Sequence, residues 1–206
     1  MRLRLARVLG IAAIGVLLVG LPLARAQDEE EGPPWNGKPA RGFYLGGGVS
    51  GSFVQGDVSG FSSFDQAFGP GFGFQAFVGA PLTDNFFTQV NFAMDFYDGP
   101  AGDLQIYYGT AELKIVPLPE EKFSPYLLFG IGGAVGGISP PGAGPVVDTD
   151  VEFTFTTAIG ADFYLTRSIA FEPEARLRFL NDESTETGIL KAFPVNIGGN
   201  FIFIIE

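Results

Sequence analysis

The sequence predicts an all-β fold, an eight-stranded antiparallel up-and-down transmembrane β-barrel. Three observations support this. Eight strand-length segments between Arg41 and the C-terminus alternate apolar residues with polar or small ones, which is the period of a strand with two unlike faces. Helical periodicity is almost absent. An export signal comes first, so the apolar face can belong to a membrane rather than to a soluble core.

The export signal is read from local chemistry. Arg2, Arg4 and Arg7 form a positive n-region, Val8 to Leu23 is an apolar run, and Ala24-Arg25-Ala26 offers the small residues a signal peptidase reads. Residues 1–26 are therefore expected to be a signal peptide. Residues 27–40 (QDEEEGPPWNGKPA) mix acids with prolines and have no period, which predicts a flexible periplasmic leader containing Trp35. The barrel domain is expected over residues 41–206. The chain holds no cysteine, which rules out disulfides and thiolate metal sites. Four arginines (2, 4, 7 and 25) leave with the signal, so 8 basic residues face 23 acids and the formal charge moves from −11 to −15. Such a balance excludes nucleic acid as an electrostatic partner.

The strands are justified in order. Arg41–Ser52 sets Phe43, Leu45 and Val49 against Tyr44, Gly46, Gly48 and Ser50. Gly71–Ala80 sets Phe72, Phe74 and Val78 against Gly73 and Gln75. Asn85–Phe96 points Phe86, Val90, Phe92 and Met94 outward, with Gln89, Asn91 and Asp95 inward. Leu104–Val116 opposes Tyr107, Ala111 and Leu113 to Tyr108, Thr110, Glu112 and Lys114. Phe123–Val135 carries Leu127, Phe129 and Ile131 outward. Val151–Tyr164 alternates Phe153, Phe155 and Ile159 with Glu152, Thr154, Thr156 and Asp162. In the seventh, Ile169, Phe171, Leu177 and Phe179 interleave with Glu172, Glu174, Arg176 and Arg178. Leu190–Ile205 turns Phe193, Ile197 and Phe201 outward and Asn196 and Asn200 inward. Each is long enough for the roughly 9–11 residues a tilted strand needs to cross a bilayer. Pro173 and Pro194 fall within strands, where a missing donor predicts a local bulge at each, or else a seventh or eighth strand shorter than drawn.

Connections of two kinds alternate. Pro81–Asp84, Pro117–Lys122 and a turn at Thr166-Arg167 are tight; Phe53–Pro70, Tyr97–Asp103, Gly136–Asp150 and Asn181–Gly188 are mostly longer. Short periplasmic turns and longer extracellular loops would give this asymmetry. The loops 53–70 and 136–150 are then candidates for an extracellular partner. The first is rich in phenylalanine and is expected to pack over the barrel mouth.

The candidate site is a structural charge network inside the lumen: Glu112, Lys114, Glu152, Asp162, Glu172, Glu174, Arg176 and Arg178, with Asp95 beside them. An eight-stranded barrel is only wide enough for side chains to fill it, and buried charges must pair. Glu112 and Lys114 are expected at the periplasmic end with Asp162 and Glu172. Glu174 and Arg176 come next, then Arg178, Glu152 and Asp95 toward the outside. No catalytic, cofactor or metal site is expected. Without histidine or cysteine, Ser-His-Asp and Cys-His sites cannot form, and a carboxylate pair such as Glu172 with Glu174 reads better as lumen charge than as an acid–base centre.

Several motifs carry a family resemblance: Phe43-Tyr44-Leu45-Gly46-Gly47-Gly48, Pro125-Tyr126-Leu127-Leu128-Phe129-Gly130, Gly160-Ala161-Asp162-Phe163-Tyr164-Leu165-Thr166 and Glu174-Ala175-Arg176-Leu177-Arg178. In these the chain resembles the small outer-membrane β-barrel proteins related to the membrane domain of outer-membrane protein A. The resemblance implies a multi-pass protein of the bacterial outer membrane, with membrane lipid and the outer-membrane assembly machinery as partners. It implies a surface-structural, adhesive, host-interacting or weakly porin-like role; the alternative reading is a narrow channel, cation-preferring because the inward acids outnumber the bases.

Overall fold

In the computed structural model of this protein, eight long strands hydrogen-bond in a closed antiparallel ring. The structure describes residues 42–58, 68–100, 102–119, 121–139, 146–147, 151–180 and 189–205. The expected signal peptide, the leader, the 181–188 connection and much of the 53–70 and 136–150 connections lie outside these. The strands are β1 (Phe43–Val58), β2 (Gly71–Pro81), β3 (Phe86–Gly99), β4 (Gly102–Ile115), β5 (Phe123–Ser139), the two-residue β6 (Val146–Val147), β7 (Glu152–Tyr164), β8 (Ile169–Leu180) and β9 (Ile189–Ile205). Neighbours in sequence pair with each other, except that the short β6 pairs only with β5, and β5 pairs with β7 across it. The β1–β9 ladder, from Phe43↔Ile205 to Val58↔Ile189, closes the ring. Closure leaves the eight staves no free edge at mid-height, so their backbone donors are satisfied away from water.

The alternation places the two faces as the sequence requires. Phe92 and Ile159 are 57% and 62% exposed, whereas the adjacent or near-adjacent Asn91 and Thr156 are 1% and 0% exposed. On β3 the outward apolar run extends from Phe86 to Phe96 before Asp98 ends it, and on β1 it ends at Phe53, before Gln55. With tilted strands that span matches an apolar band about 25 Å tall. Tyr107 lies at the same rim on β4, its hydroxyl donating to Gln105 Oε1 at 2.9 Å.

Three expectations are corrected. The strands outrun their predicted ends on the long-loop side: β1 continues to Val58 and β5 to Ser139. Phe53 is thus a lipid-facing strand residue, not part of a loop. The cause is a partner, since Phe53 to Asp57 pair with Val195 to Lys191, and pairing outweighs the weak local pattern. Second, the Tyr97–Asp103 connection is no long loop. Gly99 pairs with Gly102, so residues 100 and 101 alone link β3 to β4, and Gly102 has a φ of 119°, open to glycine and strained for other residues. Third, neither proline makes a bulge. The β7–β8 register is the same before and after Pro173, and the β8–β9 register the same before and after Pro194. Each ladder lacks a stretch of pairing there, without an inserted residue.

Candidate functional site

The lumen holds three charged clusters stacked along β8, whose inward positions Glu172, Glu174, Arg176 and Arg178 rise from the short-turn end toward the long-loop end. Alternation brings them to one face, and closure brings the remaining strands around them.

In the lowest cluster Lys114 Nζ donates to Asp162 Oδ1 at 2.7 Å and Glu172 Oε2 at 2.5 Å. Its ammonium also lies 4.0 Å from the centre of the Tyr126 ring, and Asn200 Nδ2 donates to the other Glu172 oxygen at 2.8 Å. A small cavity of about 30 Å³ opens beside the Lys114–Asp162 pair, walled by Tyr44, Phe87 and Tyr164. That is room for roughly one water.

The middle cluster is built on Arg176. Its Nη1 and Nη2 donate to the two oxygens of Glu112, the second at 3.3 Å. Nε reaches Glu174 Oε1 at 2.8 Å, and Nη2 reaches Glu174 Oε2 at 3.2 Å. One planar guanidinium thus holds two carboxylates, a geometry lysine cannot copy. The carboxylates are satisfied further by Gln89 Nε2 and Thr110 Oγ1 on Glu112, both at 2.7 Å, and by Tyr126 Oη on Glu174 at 2.8 Å. The side chains of Arg176 and Glu112 are 1% and 0% exposed.

Above it Arg178 Nη1 donates to Asn196 Oδ1 and, at 3.4 Å, to Asp95 Oδ2; Asn196 Nδ2 closes the triangle on Asp95 Oδ1 at 2.8 Å. The guanidinium carbon stands 4.4 Å from the centre of the Tyr108 ring. Tyr97 bonds Ser52 and also donates to Asp95 at 3.4 Å. The Tyr108 hydroxyl lies near Asp95 without reaching hydrogen-bond geometry; it and Asn91 Oδ1 are the buried side-chain atoms, among the described residues, that lack a partner.

Seven of the eight candidate residues therefore fall in these clusters. Glu152 stands apart, half-buried at the first residue of β7 and opposite Ala134, nearer the long-loop end. Glu112 does not group with Lys114 as sequence depth suggests; it reaches Arg176 instead. A barrel's stagger offsets the heights of distant strands, so residues level by counting are not level in space. The aromatic and amide partners Tyr44, Tyr126, Gln89 and Asn196 complete the clusters, and nothing in their own spacing marks them for it. Tyr126 fits because Gly160 lies beneath it: a Cβ there would stand 2.5 Å from Tyr126 Cζ and 2.7 Å from the Pro173 carbonyl oxygen. The clusters contain five carboxylates against three cations, a surplus of negative charge in the lower two. Among the described residues no group of three ligating side chains could hold a metal ion.

Comparison with known proteins agrees with this architecture. The chain matches the family described as outer membrane protein beta-barrel domain over residues 13–201. Neisserial surface protein A (NspA) has a similar structure, with a TM-score of 0.66 at 12% identity over 79% of this chain and 97% of that one. OprG from Pseudomonas aeruginosa superposes with a TM-score of 0.52 at 13% identity, over 83% of this chain and all of that one. No curated protein matches in sequence. A closed eight-stranded ring, a lipid-facing apolar band, a polar lumen and this match lead to one statement: the chain belongs to the outer-membrane β-barrel family and resides in the bacterial outer membrane.

Proposed function

We propose that this protein is a non-enzymatic scaffold of the outer membrane whose lumen is sealed to ions and whose long-loop end faces outward for recognition or adhesion. The observation that carries this reading is the Arg176 fork, fully buried and bonded to Glu112 on a distant strand and to Glu174 on its own. An open pore would hydrate such charges, whereas here side chains take the place of water. Residues 1–26 serve as the cleaved signal peptide, residues 27–40 as a periplasmic leader, and the eight charged residues as the structural network that holds the staves together. The connections 53–70 and 136–150 are the candidates for contact with an extracellular partner.

Planar-bilayer recording tests this reading. The unmodified protein is expected to give no steady current. Large, stable single-channel steps would replace the scaffold with the narrow channel, and the surplus carboxylates would make that channel cation-preferring.

A further inference from the structure

The lowest charged cluster differs from the middle one in how its carboxylates are held. Glu112 and Glu174 share Arg176, and each has further donors: Gln89 and Thr110 on the first, Tyr126 and Gln75 on the second. Asp162, among the described residues, has one donor, Lys114 Nζ at 2.7 Å. The same nitrogen lies 2.5 Å from Glu172 Oε2, and the Glu172 carboxyl also approaches that of Asp162. Asn200 holds the remaining Glu172 oxygen at 2.8 Å, which fixes that carboxyl in place. The side chains of Lys114, Asp162 and Glu172 are at most 6% exposed. Tyr44, Phe87 and Tyr164 stand around the Lys114–Asp162 pair, and the Tyr126 ring lies under the ammonium. The next charge along β8, Glu174, is already taken by Arg176. A primary amine, a carboxyl it could acylate itself on, and a second carboxyl able to carry protons between them thus share one shielded site, built by β4, β7 and β8.

We propose that Lys114 and Asp162 form an intramolecular amide once the barrel has folded, with Glu172 as the acid–base group, so that β4 is stapled covalently to β7 across the intervening β5. The step balances without any co-reactant. Glu172 Oε2 takes a proton from the ammonium, and the free amine attacks Asp162 Cγ, one bond beyond the oxygen it already touches. A carbon–nitrogen bond forms and a carbon–oxygen bond breaks. Two of the three ammonium protons leave with one Asp162 oxygen as water, the second of them delivered by Glu172, which is ionised before and after. Folding supplies the orientation, since the two groups are 48 residues apart in the chain and are brought into contact only by closure of the ring. The direction of the step follows from burial. In bulk water an ammonium and a carboxylate are favoured over their amide; here three buried charges become one, and the cost of keeping ions away from water falls with them. The cavity of about 30 Å³ beside the pair has Lys114 and Asp162 in its wall and reaches Gly42 and Pro119 at the short-turn end. It has room for about one water, the size of the leaving group. Asp162 rather than Glu172 is the acylated partner because Asn200 ties down the second Glu172 oxygen, whereas Asp162 borders the cavity.

The test is the intact mass of the full chain, measured in urea and again after folding into phosphatidylcholine vesicles, with folding checked by the migration of the unheated barrel on gels. The folded protein should be lighter by the mass of one water. Proteolysis after denaturation should release a branched peptide that joins the segment around Lys114 to the segment around Asp162. Folded Lys114→Arg and Asp162→Ala should keep the full mass. Glu172→Gln should keep it too over the time in which the unmodified protein reacts, although its amide side chain is nearly the same size. An unchanged mass in the folded unmodified protein overturns the proposal. So does an equal loss of water in Lys114→Arg, which would place the dehydration elsewhere in the chain, or a branch at Glu172 instead of Asp162. A Glu172→Gln protein that reacts as fast as the unmodified one removes Glu172 from the step and overturns the proposal as stated. If the variants fail to fold, the branched peptide of the unmodified protein decides alone: its presence, joined at Lys114 and Asp162, supports the amide, and its absence overturns it.

Discussion

Arg176 on β8 and Glu112 on β4 are 64 residues apart in sequence and sit on strands that are not neighbours, yet the guanidinium bonds both oxygens of the carboxylate. The same guanidinium holds Glu174 on its own strand. A contact that spans the lumen ties staves together in a way the backbone ladder does not, because the ladder joins only adjacent strands.

Removing this link should be costly. Arg176→Ala leaves two buried carboxylates facing each other, and the loss is expected to be about 3–5 kcal/mol, the cost of breaking a buried pair. Urea unfolding in lipid vesicles measures it. Planar-bilayer recording of the same variant should show a leak preferring cations, since acids then outnumber bases further. Arg176→Lys should restore only part of the stability, because an ammonium cannot hold two carboxylates in one plane.

The lipid face should respond to charge by depth. Phe92→Arg and Ile159→Arg, at outward positions near mid-strand, are each expected to destabilise by about 2–4 kcal/mol. Phe92→Leu should be close to neutral. The comparison is made by equilibrium unfolding in the same vesicles.

Two glycines predict opposite outcomes. Gly160→Ala places a Cβ against Tyr126 and the Pro173 carbonyl. It should displace the tyrosine from Glu174 and cost about 1–3 kcal/mol through overpacking. Gly136→Ala meets nothing within 4 Å and should leave the unfolding midpoint where it is.

Topology is open to direct labelling. A tag inserted at Ala143 should react in intact cells, and one at Thr83, in the four-residue link after β2, should react only once the outer membrane is broken. The reverse pattern would invert the barrel and turn the long connections toward the periplasm.

The fold class, the number of staves and the outward residues within each recognised strand are legible in the chain's local alternation. Those properties follow from a period of two within one segment: Phe92 outward commits Asn91 inward whatever the rest of the chain does. It also carried the composition of the lumen, since Glu172, Glu174, Arg176 and Arg178 declare their face on one strand. Which charges meet depends on the closed ring. Glu112 pairs with Arg176 rather than joining Lys114 because stagger around a closed ring sets heights that no single strand encodes. Strand ends were decided the same way. Phe53 to Asp57 are extended because Lys191 to Val195 offer them partners, and the link from β3 to β4 shrinks to two residues because Gly99 and Gly102 pair. Local alternation is a property of neighbours in sequence; register and pairing are properties of neighbours in space.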